Sequence, residues 1–246
     1  MPSVLILGAT SMIARAVAAE FASHKYDLIL AGRSPEELNA LAADFSLRHG
    51  VRIRTQIFDV LHPEGHESSL EPCLCEAGEA LAGVVLCIGY LGDQAVAQAD
   101  LTETRRILET NFTGSVSALN ITANHFERRR TGFICALSSV AGDRGRQSNY
   151  LYGAAKAGLS TYLQGLRNRL FHSNVRVITV KPGFVDTRMT FGRPKLFLVA
   201  SPEAVARGIY RAIVRGKDVV YLPWFWRWIM FVLRLVPERM FKRLRL

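Results

Sequence analysis

The chain has 246 residues, 49% of them apolar and 21% charged, with 19 Gly and 9 Pro. That composition excludes a disordered, collagen-like or low-complexity chain, and its Val, Leu, Ile, Phe and Ala suffice for a large core without staples. The net charge is +10, and half of the excess lies in residues 224–246, where Arg227, Arg234, Arg239, Lys242, Arg243 and Arg245 face only Glu238. With a second cluster at Arg128, Arg129 and Arg130, this asks for an anionic partner: nucleic acid, a phosphorylated substrate or a membrane surface.

The apolar run 4–7 breaks at Gly8-Ala9-Thr10-Ser11 and has no basic segment before it, so export is not expected. No stretch of about 18 apolar residues exists, and no transmembrane helix is expected. Cys73, Cys75, Cys87 and Cys135 form no C-x-x-C pair. They read as reduced thiols of a cytoplasmic protein.

Strands are expected at 4–7, 28–31, 52–58, 83–88, 132–137 and 175–180, with a last one at 218–222. Helices are expected between them at 13–21, 35–49, 101–128, 152–171 and 202–214. Such alternation predicts parallel strands joined by crossover helices, and near-continuous apolar strands fit a sheet buried on both faces. No repeat or linker divides the pattern, so residues 1–222 read as one domain and 223–246 as a tail.

The first strand ends in Gly8-Ala9-Thr10-Ser11-Met12-Ile13-Ala14 at the start of a helix. Gly8 permits a tight turn that aims N–H groups at a pyrophosphate, and Ala14 permits close helix–strand packing. Met12 stands where a glycine usually lets phosphate approach; an ordinary βα turn is the alternative reading. After the second strand comes Arg33 with Ser34. An acid there would favour NAD, whereas Arg33 favours the 2′-phosphate of NADP(H), unless it is merely a loop charge. Asp27, at the far end of that strand, reads as a solvated turn residue.

Tyr152 and Lys156 fall at i and i+4 of one helix, and Ser138-Ser139 ends the strand before it. A nearby ammonium favours the phenolate and is expected to bring the tyrosine pKa down toward a useful value. Ser139 can donate to a substrate oxygen above the same crevice. A half-buried Tyr beside a snorkelling Lys is the bland alternative.

Over residues 2–222 the chain resembles the short-chain dehydrogenase/reductase family. The matching segments are the Gly8–Ala14 turn, Asp59-Val60, Cys87-Ile88-Gly89, Asn111, Ser139, Tyr152 with Lys156, and Pro182-Gly183-Phe184-Val185-Asp186-Thr187. The resemblance implies a single Rossmann-type α/β domain, a doubly wound parallel sheet of about seven strands with helices on both faces. It also implies a catalytic set of Asn111, Ser139, Tyr152 and Lys156. Tyr152 would exchange a proton with a carbonyl or alcohol oxygen, Lys156 would tune it and hold the nicotinamide ribose, and Ser139 would stabilise the oxyanion. Asn111 would hold a relay water. Gly8, Thr10, Ser11, Met12, Ile13, Arg33, Asp59, Val60, Gly89, Tyr152, Lys156, Pro182, Gly183, Val185 and Thr187 would contact NADP(H). Departures are Met12 and Ala14 for two turn glycines and Cys87-Ile88 for Asn-Ala.

The segment 188–200 would shape a substrate lid, with Met189, Phe191, Leu196, Phe197, Leu198 and Val199 admitting an apolar substrate and Arg188, Arg193 and Lys195 a phosphate. In the tail, Trp228, Phe231, Val232, Leu235 and Val236 share one helical side, away from Arg227 and Arg234. Two readings stand: a membrane-interface helix, peripheral on the inner membrane face, or a tail packed on a neighbouring subunit or over the active site. The Gly-x-Thr-Ser turn with this tail resembles the branch related to polyprenyl-phosphoryl keto-sugar reductases. That implies a small or lipid-linked carbonyl or alcohol substrate. The expectation is an NADP(H)-dependent oxidoreductase, homodimeric or homotetrameric, binding no nucleic acid. An idle NADP(H)-sensing or scaffold protein of the same fold is the alternative.

Overall fold

In the computed structural model, which describes residues 1–189 and 198–244, strands and helices alternate from the first residues. They are β1 (Ser3–Leu7), α1 (Met12–Ser23), β2 (Asp27–Gly32), α2 (Pro35–His49), β3 (Ile53–Ile57) and α3 (His66–Ala77). Then come β4 (Leu81–Leu86), α4 (Gln94–Ala97), α5 (Leu101–Leu108), α6 (Gly114–Arg129), β5 (Gly132–Leu137) and α7 (Tyr150–Leu170). The order closes with β6 (Val175–Pro182), α8 (Pro202–Val214), β7 (Val219–Leu222), α9 (Trp226–Leu235) and α10 (Glu238–Phe241). The strands form one sheet in the order β3-β2-β1-β4-β5-β6-β7, and every neighbouring pair is parallel.

Alternation along each strand builds two cores. Val4, Ile6, Leu28, Leu30, Val85 and Cys135 face α1, α2 and α8, burying Val17, Phe21, Phe45 and Ile209. Leu5, Leu7, Ile29, Val84, Leu86 and Ile134 face α3, α6 and α7, burying Leu74, Phe126 and Leu163. A sheet covered on both faces has no room for polar side chains in its centre. Strand order reverses at β1, so a crevice opens above the carboxyl ends of β1 and β4.

Local signals set the helix limits. Ser34 caps α2 by accepting from the Glu37 N–H, Pro35 occupies its first turn, and Gly50 ends it in the left-handed conformation. Such an N-cap contributes about 1 kcal/mol.

Three expectations change. The helix expected at 101–128 is α5 and α6 joined by a π-helical segment, Glu109–Thr113. α3 lies where no helix was expected, because Pro72 sits within it and interrupts the sequence signal. Asp27 is buried rather than solvated: its carboxylate accepts from the Arg52 backbone N–H at 2.9 Å and from Arg52 Nε at 3.1 Å, locking β2 to the start of β3. It does stand at the strand end remote from the crevice.

The tail folds back onto the domain. Trp226 and Met230 are buried against Val140, with Phe184, Tyr221, Ile229 and Leu233 around them. A Cβ on Gly183 would lie 1.9 Å from Trp226 Nε1, so only glycine lets the tail pack here. Arg144 pins the other end. Its guanidinium donates to the carbonyls of Leu233, Arg234 and Val236, pairs with Glu238 and lies 4.0 Å from the Phe241 ring centroid. Trp224, Trp228, Phe231, Val232, Leu235 and Met240 face outward. α9 is therefore apolar on two sides; packing over the domain was one of the two readings of the tail, but the residues that do it, Trp226 and Met230, were not among those named.

Candidate active site

The β1–α1 turn forms as the sequence implies. Gly8 has φ +80°, and both Gly8 and Ala9 donate to the Ala31 carbonyl at 2.9 Å. A side chain at Gly8 would be strained there and would meet Ile88 Cγ1 at 2.8 Å. Ser11 caps α1, accepting from the Ala14 N–H at 3.2 Å, which leaves the first-turn N–H groups of Met12 and Ile13 without intrahelical partners. Ala14 is fully buried. The turn opens into a cavity of about 800 Å³ whose wall includes Gly8, Thr10, Ser11, Met12, Ile13 and Arg33 at one end.

Asp59, Val60 and Gly89 line the middle, and Tyr152, Ser139, Lys156, Pro182, Gly183, Val185 and Thr187 line the other end. Every predicted site residue except Asn111 is on this wall. Asn111 is fully buried beneath it, in the π-helical segment. Its Nδ2 donates to the Tyr90 carbonyl at 2.5 Å and to the Ile107 carbonyl at 2.8 Å, while Oδ1 accepts from the Tyr90 N–H. The amide thus clamps the loop after β4, and the π-helical turn is what aims it there; such bulges recur at functional sites.

The replacement of Asn-Ala by Cys87-Ile88 costs the site little, because backbone atoms do the holding. Lys156 Nζ donates to the carbonyls of Ile88 at 3.2 Å and Leu137 at 3.0 Å, and the Cys87 N–H binds the Leu7 carbonyl. Burial pushes the Cys87 thiol up to about 12. Among the described residues no group of three or more metal-ligating side chains could hold a metal ion.

The electrostatics differ from the sequence expectation at one point. Burial pushes Tyr152 up to about 12, partly offset by a hydrogen bond with Ser139 and by the charge of Arg146. Lys156 does not act on the phenol here. Burial lowers its own pKa to about 7, and its Nζ lies 5.8 Å from the Tyr152 ring centroid, turned toward backbone carbonyls. Desolvation has outweighed the ammonium's attraction for the phenolate.

Sequence reasoning missed Arg15 and Glu37, both on the cavity wall beside Arg33. Arg15 Nε donates to the Thr10 carbonyl at 3.0 Å, and its guanidinium pairs with Glu37 at 2.8 Å. A basic residue in the first turn of the helix that follows the Gly8 turn was the available signal. Tyr90 and Arg106 also line the wall, with the guanidinium 4.4 Å from the ring centroid. Of the expected lid, Arg188 and Met189 reach the cavity and Leu198 and Val199 are exposed; Phe191, Arg193, Lys195, Leu196 and Phe197 lie outside the described residues.

A strand-reversal crevice with a glycine turn at one end and a Ser-Tyr-Lys group at the other is the layout of a dinucleotide-binding fold. The family model of short chain dehydrogenase matches residues 2–195. An uncharacterized oxidoreductase of Mycobacterium tuberculosis is 35% identical over 241 residues, covering 98% of this chain and 96% of that protein. Sulfoacetaldehyde reductase 2 of Chromohalobacter salexigens is 33% identical over 223 residues, covering 89% and 85%. A short-chain dehydrogenase from Sphingobium yanoikuyae, solved in complex with NADPH, superposes with a TM-score of 0.84 at 24% identity, covering 97% of each chain. The chain belongs to the short-chain dehydrogenase family.

Proposed function

We propose that this protein is an NADP(H)-dependent oxidoreductase interconverting a carbonyl and an alcohol, with Tyr152 as the general acid–base group. The observation that carries this reading is the placement of Ser139, Tyr152 and Lys156 at one end of the cavity whose other end holds the Gly8 turn and Arg33. The cavity fits a dinucleotide in chemistry as well as shape: the first turn of α1 offers unpaired N–H groups to a pyrophosphate, and no hydrogen bond or ion pair engages the Arg33 guanidinium among the described residues. Thr10, Ser11, Met12 and Ile13 would hold the pyrophosphate, Asp59 and Val60 the adenine. Gly89, Pro182, Gly183, Val185 and Thr187 would flank the nicotinamide.

The bound nucleotide supplies the hydride. With a pKa near 12, Tyr152 is protonated at neutral pH and can give its hydroxyl proton to a carbonyl oxygen. Ser139 Oγ would donate to the same oxygen as its negative charge grows. Lys156, held on the Ile88 and Leu137 carbonyls, would bind the nicotinamide ribose, and Asn111, its amide engaged by Tyr90 and Ile107, would hold the loop after β4 in place rather than carry a relay water on its side chain. The test is a panel of aldehydes and ketones followed by loss of NADPH absorbance. Turnover of any member supports the reading, and none across the panel removes it.

Arg33 should set cofactor choice. Its guanidinium would make a charge-assisted hydrogen bond to the ribose 2′-phosphate worth about 1.5–3 kcal/mol. Titration should show NADPH binding tighter than NADH, and Arg33→Ala should weaken NADPH by roughly 10–100-fold while sparing NADH. Equal affinities, or an unchanged variant, would contradict this.

The segment after residue 222 reads as an interfacial anchor on an anionic leaflet. Trp224 is 71% exposed, Trp228 58% and Leu235 66%, and the same segment carries Arg227, Arg234, Arg239, Lys242 and Arg243 while Arg144 pairs with Glu238. Apolar burial with basic residues at headgroup level favours such a surface, each cation adding about 1 kcal/mol. Among the described residues no helix is long and apolar enough to cross a membrane, and an amphiphilic or lipid-linked substrate would be met at the surface. The full chain should co-sediment with anionic liposomes at low salt and less at high salt, and truncation after Pro223 should abolish this. No binding at low salt, or a truncation that changes only the oligomer size, would favour a second copy as the cover.

A further inference from the structure

Apart from the nucleotide cavity, a groove of about 690 Å³ lies between α8, β7 and the start of the tail. β7 is the edge strand of the sheet. Gly208 on α8 lets Leu222 lie flat against the helix, since a Cβ there would meet Leu222 Cδ2 at 2.5 Å. Val220 and Leu222 give the groove an apolar floor, and Trp224 forms part of its wall.

Four cations share that wall, Arg211 and Arg215 from α8, Lys217 from the loop before β7 and Arg227 from α9, and no carboxylate does so among the described residues. None of the four side chains has a hydrogen bond or ion pair among the described residues. Asp218, the nearest acid in sequence, is engaged by Arg167 at 3.5 Å. Arg211 and Arg215 stand one turn apart, a like-charged spacing that works against the helix. One cation at a helix C-terminus is ordinary, and a lysine beside an edge strand guards it against pairing. Neither reason gathers four around one apolar groove. A second copy is a poor cover, because a twofold contact on this face would bring both sets of cations together with no acid between them. Trp224 and Arg227 belong both to the groove and to the exposed side of the tail, so the groove opens onto the surface read above as the anchor.

We propose that this groove is a binding site for one anionic phospholipid of the leaflet. Arg211, Arg215 and Lys217 hold its phosphate through charge-assisted hydrogen bonds, and the upper part of an acyl chain lies along Val220, Leu222 and Trp224. The proposal rests on the interfacial reading of the tail and extends it to the sheet edge.

The probes are monomeric dihexanoyl phosphatidylglycerol, dihexanoyl phosphatidylcholine and glycerol 3-phosphate, titrated calorimetrically into the full chain. The first should bind one to one and at least about tenfold tighter than the others, because it alone joins a net negative charge to acyl chains. Arg211→Gln with Arg215→Gln should weaken it at least about tenfold and leave NADPH-dependent turnover unchanged. The same pair should weaken co-sedimentation with phosphatidylglycerol vesicles more than Arg105→Gln with Arg128→Gln, two exposed cations away from the groove. No binding of the monomeric phosphatidylglycerol overturns the proposal, as does equal affinity for glycerol 3-phosphate, the mark of a bare anion site. Equal losses in the two double variants overturn it too, since they signify diffuse attraction, and so does a change of oligomer mass in the groove variant, which makes a second copy the cover. Vesicle binding without monomer binding removes the groove and leaves the anchor; monomer binding without vesicle binding does the reverse.

Discussion

Tyr152→Phe is expected to lower kcat for carbonyl reduction by about 10²–10⁴, the usual range for a lost general acid, while cofactor affinity stays within about twofold. The ring that fills the space between Ser139 and Lys156 remains, so α7 and its core positions Leu159 and Leu163 are undisturbed. Only the hydroxyl goes. On the proposed role of that hydroxyl as the proton source, kcat and kcat/KM should fall together with KM little changed. Ser139→Ala should cost less, since it removes one donor and leaves the proton source in place. A purified, folded Tyr152→Phe protein with wild-type turnover would show that the proton comes from elsewhere.

The second large effect is on stability. Asp143→Ala should destabilise the protein by about 3–5 kcal/mol, because it leaves the Lys181 ammonium buried and unpaired. Side-chain exposures of 2% for Asp143 and 11% for Lys181 place this pair among the few enclosed ions of the structure. For a chain of this size the loss corresponds to roughly 10 °C in Tm. Asp143 also anchors the Tyr221 hydroxyl on β7, so the loop between Ser139 and Tyr152 should loosen before the sheet does. The double variant Asp143→Ala with Lys181→Met should recover much of the loss, since a pair replaced by apolar groups leaves no orphan charge. Thermal unfolding followed by circular dichroism checks both. A single variant within about 1 kcal/mol of the wild type would mean that water already reaches the pair.

Much of the architecture was legible because it depends on residues next to one another in sequence. The apolar strand runs are local, and so is the Tyr152–Lys156 spacing, which fixes one helix face wherever the helix goes. What failed depends on residues that meet only after folding. Asp27 reads as a turn acid until Arg52, a neighbour on the adjacent strand, closes on it. The break at Glu109–Thr113 has no glycine or proline to announce it; Gly114 follows it, at a position where a Cβ would meet the Val60 carbonyl. Tyr152 was expected to have a lowered pKa because Lys156 is one turn away, yet burial acts on both groups and dominates.

The tail shows the same division. Its outer apolar side was visible as a helical stripe, whereas the inner side could be inferred only with Gly183 and Val140 in place to receive Trp226. No sequence signal separates Arg144 from Arg146. Their difference lies in what surrounds them, three backbone carbonyls for one and none for the other.

On the proposed reading, bound NADPH would supply a hydride to a carbonyl carbon held next to Tyr152. The most direct measurement uses NADPH deuterated on both positions of the nicotinamide C4, with an aldehyde the enzyme accepts, and mass spectrometry of the alcohol formed. The account predicts one deuterium on the carbinol carbon in every product molecule, and about 10²–10⁴-fold less labelled alcohol from Tyr152→Phe in the same time. Alcohol formed without deuterium, or equal labelled product from the variant, would contradict it.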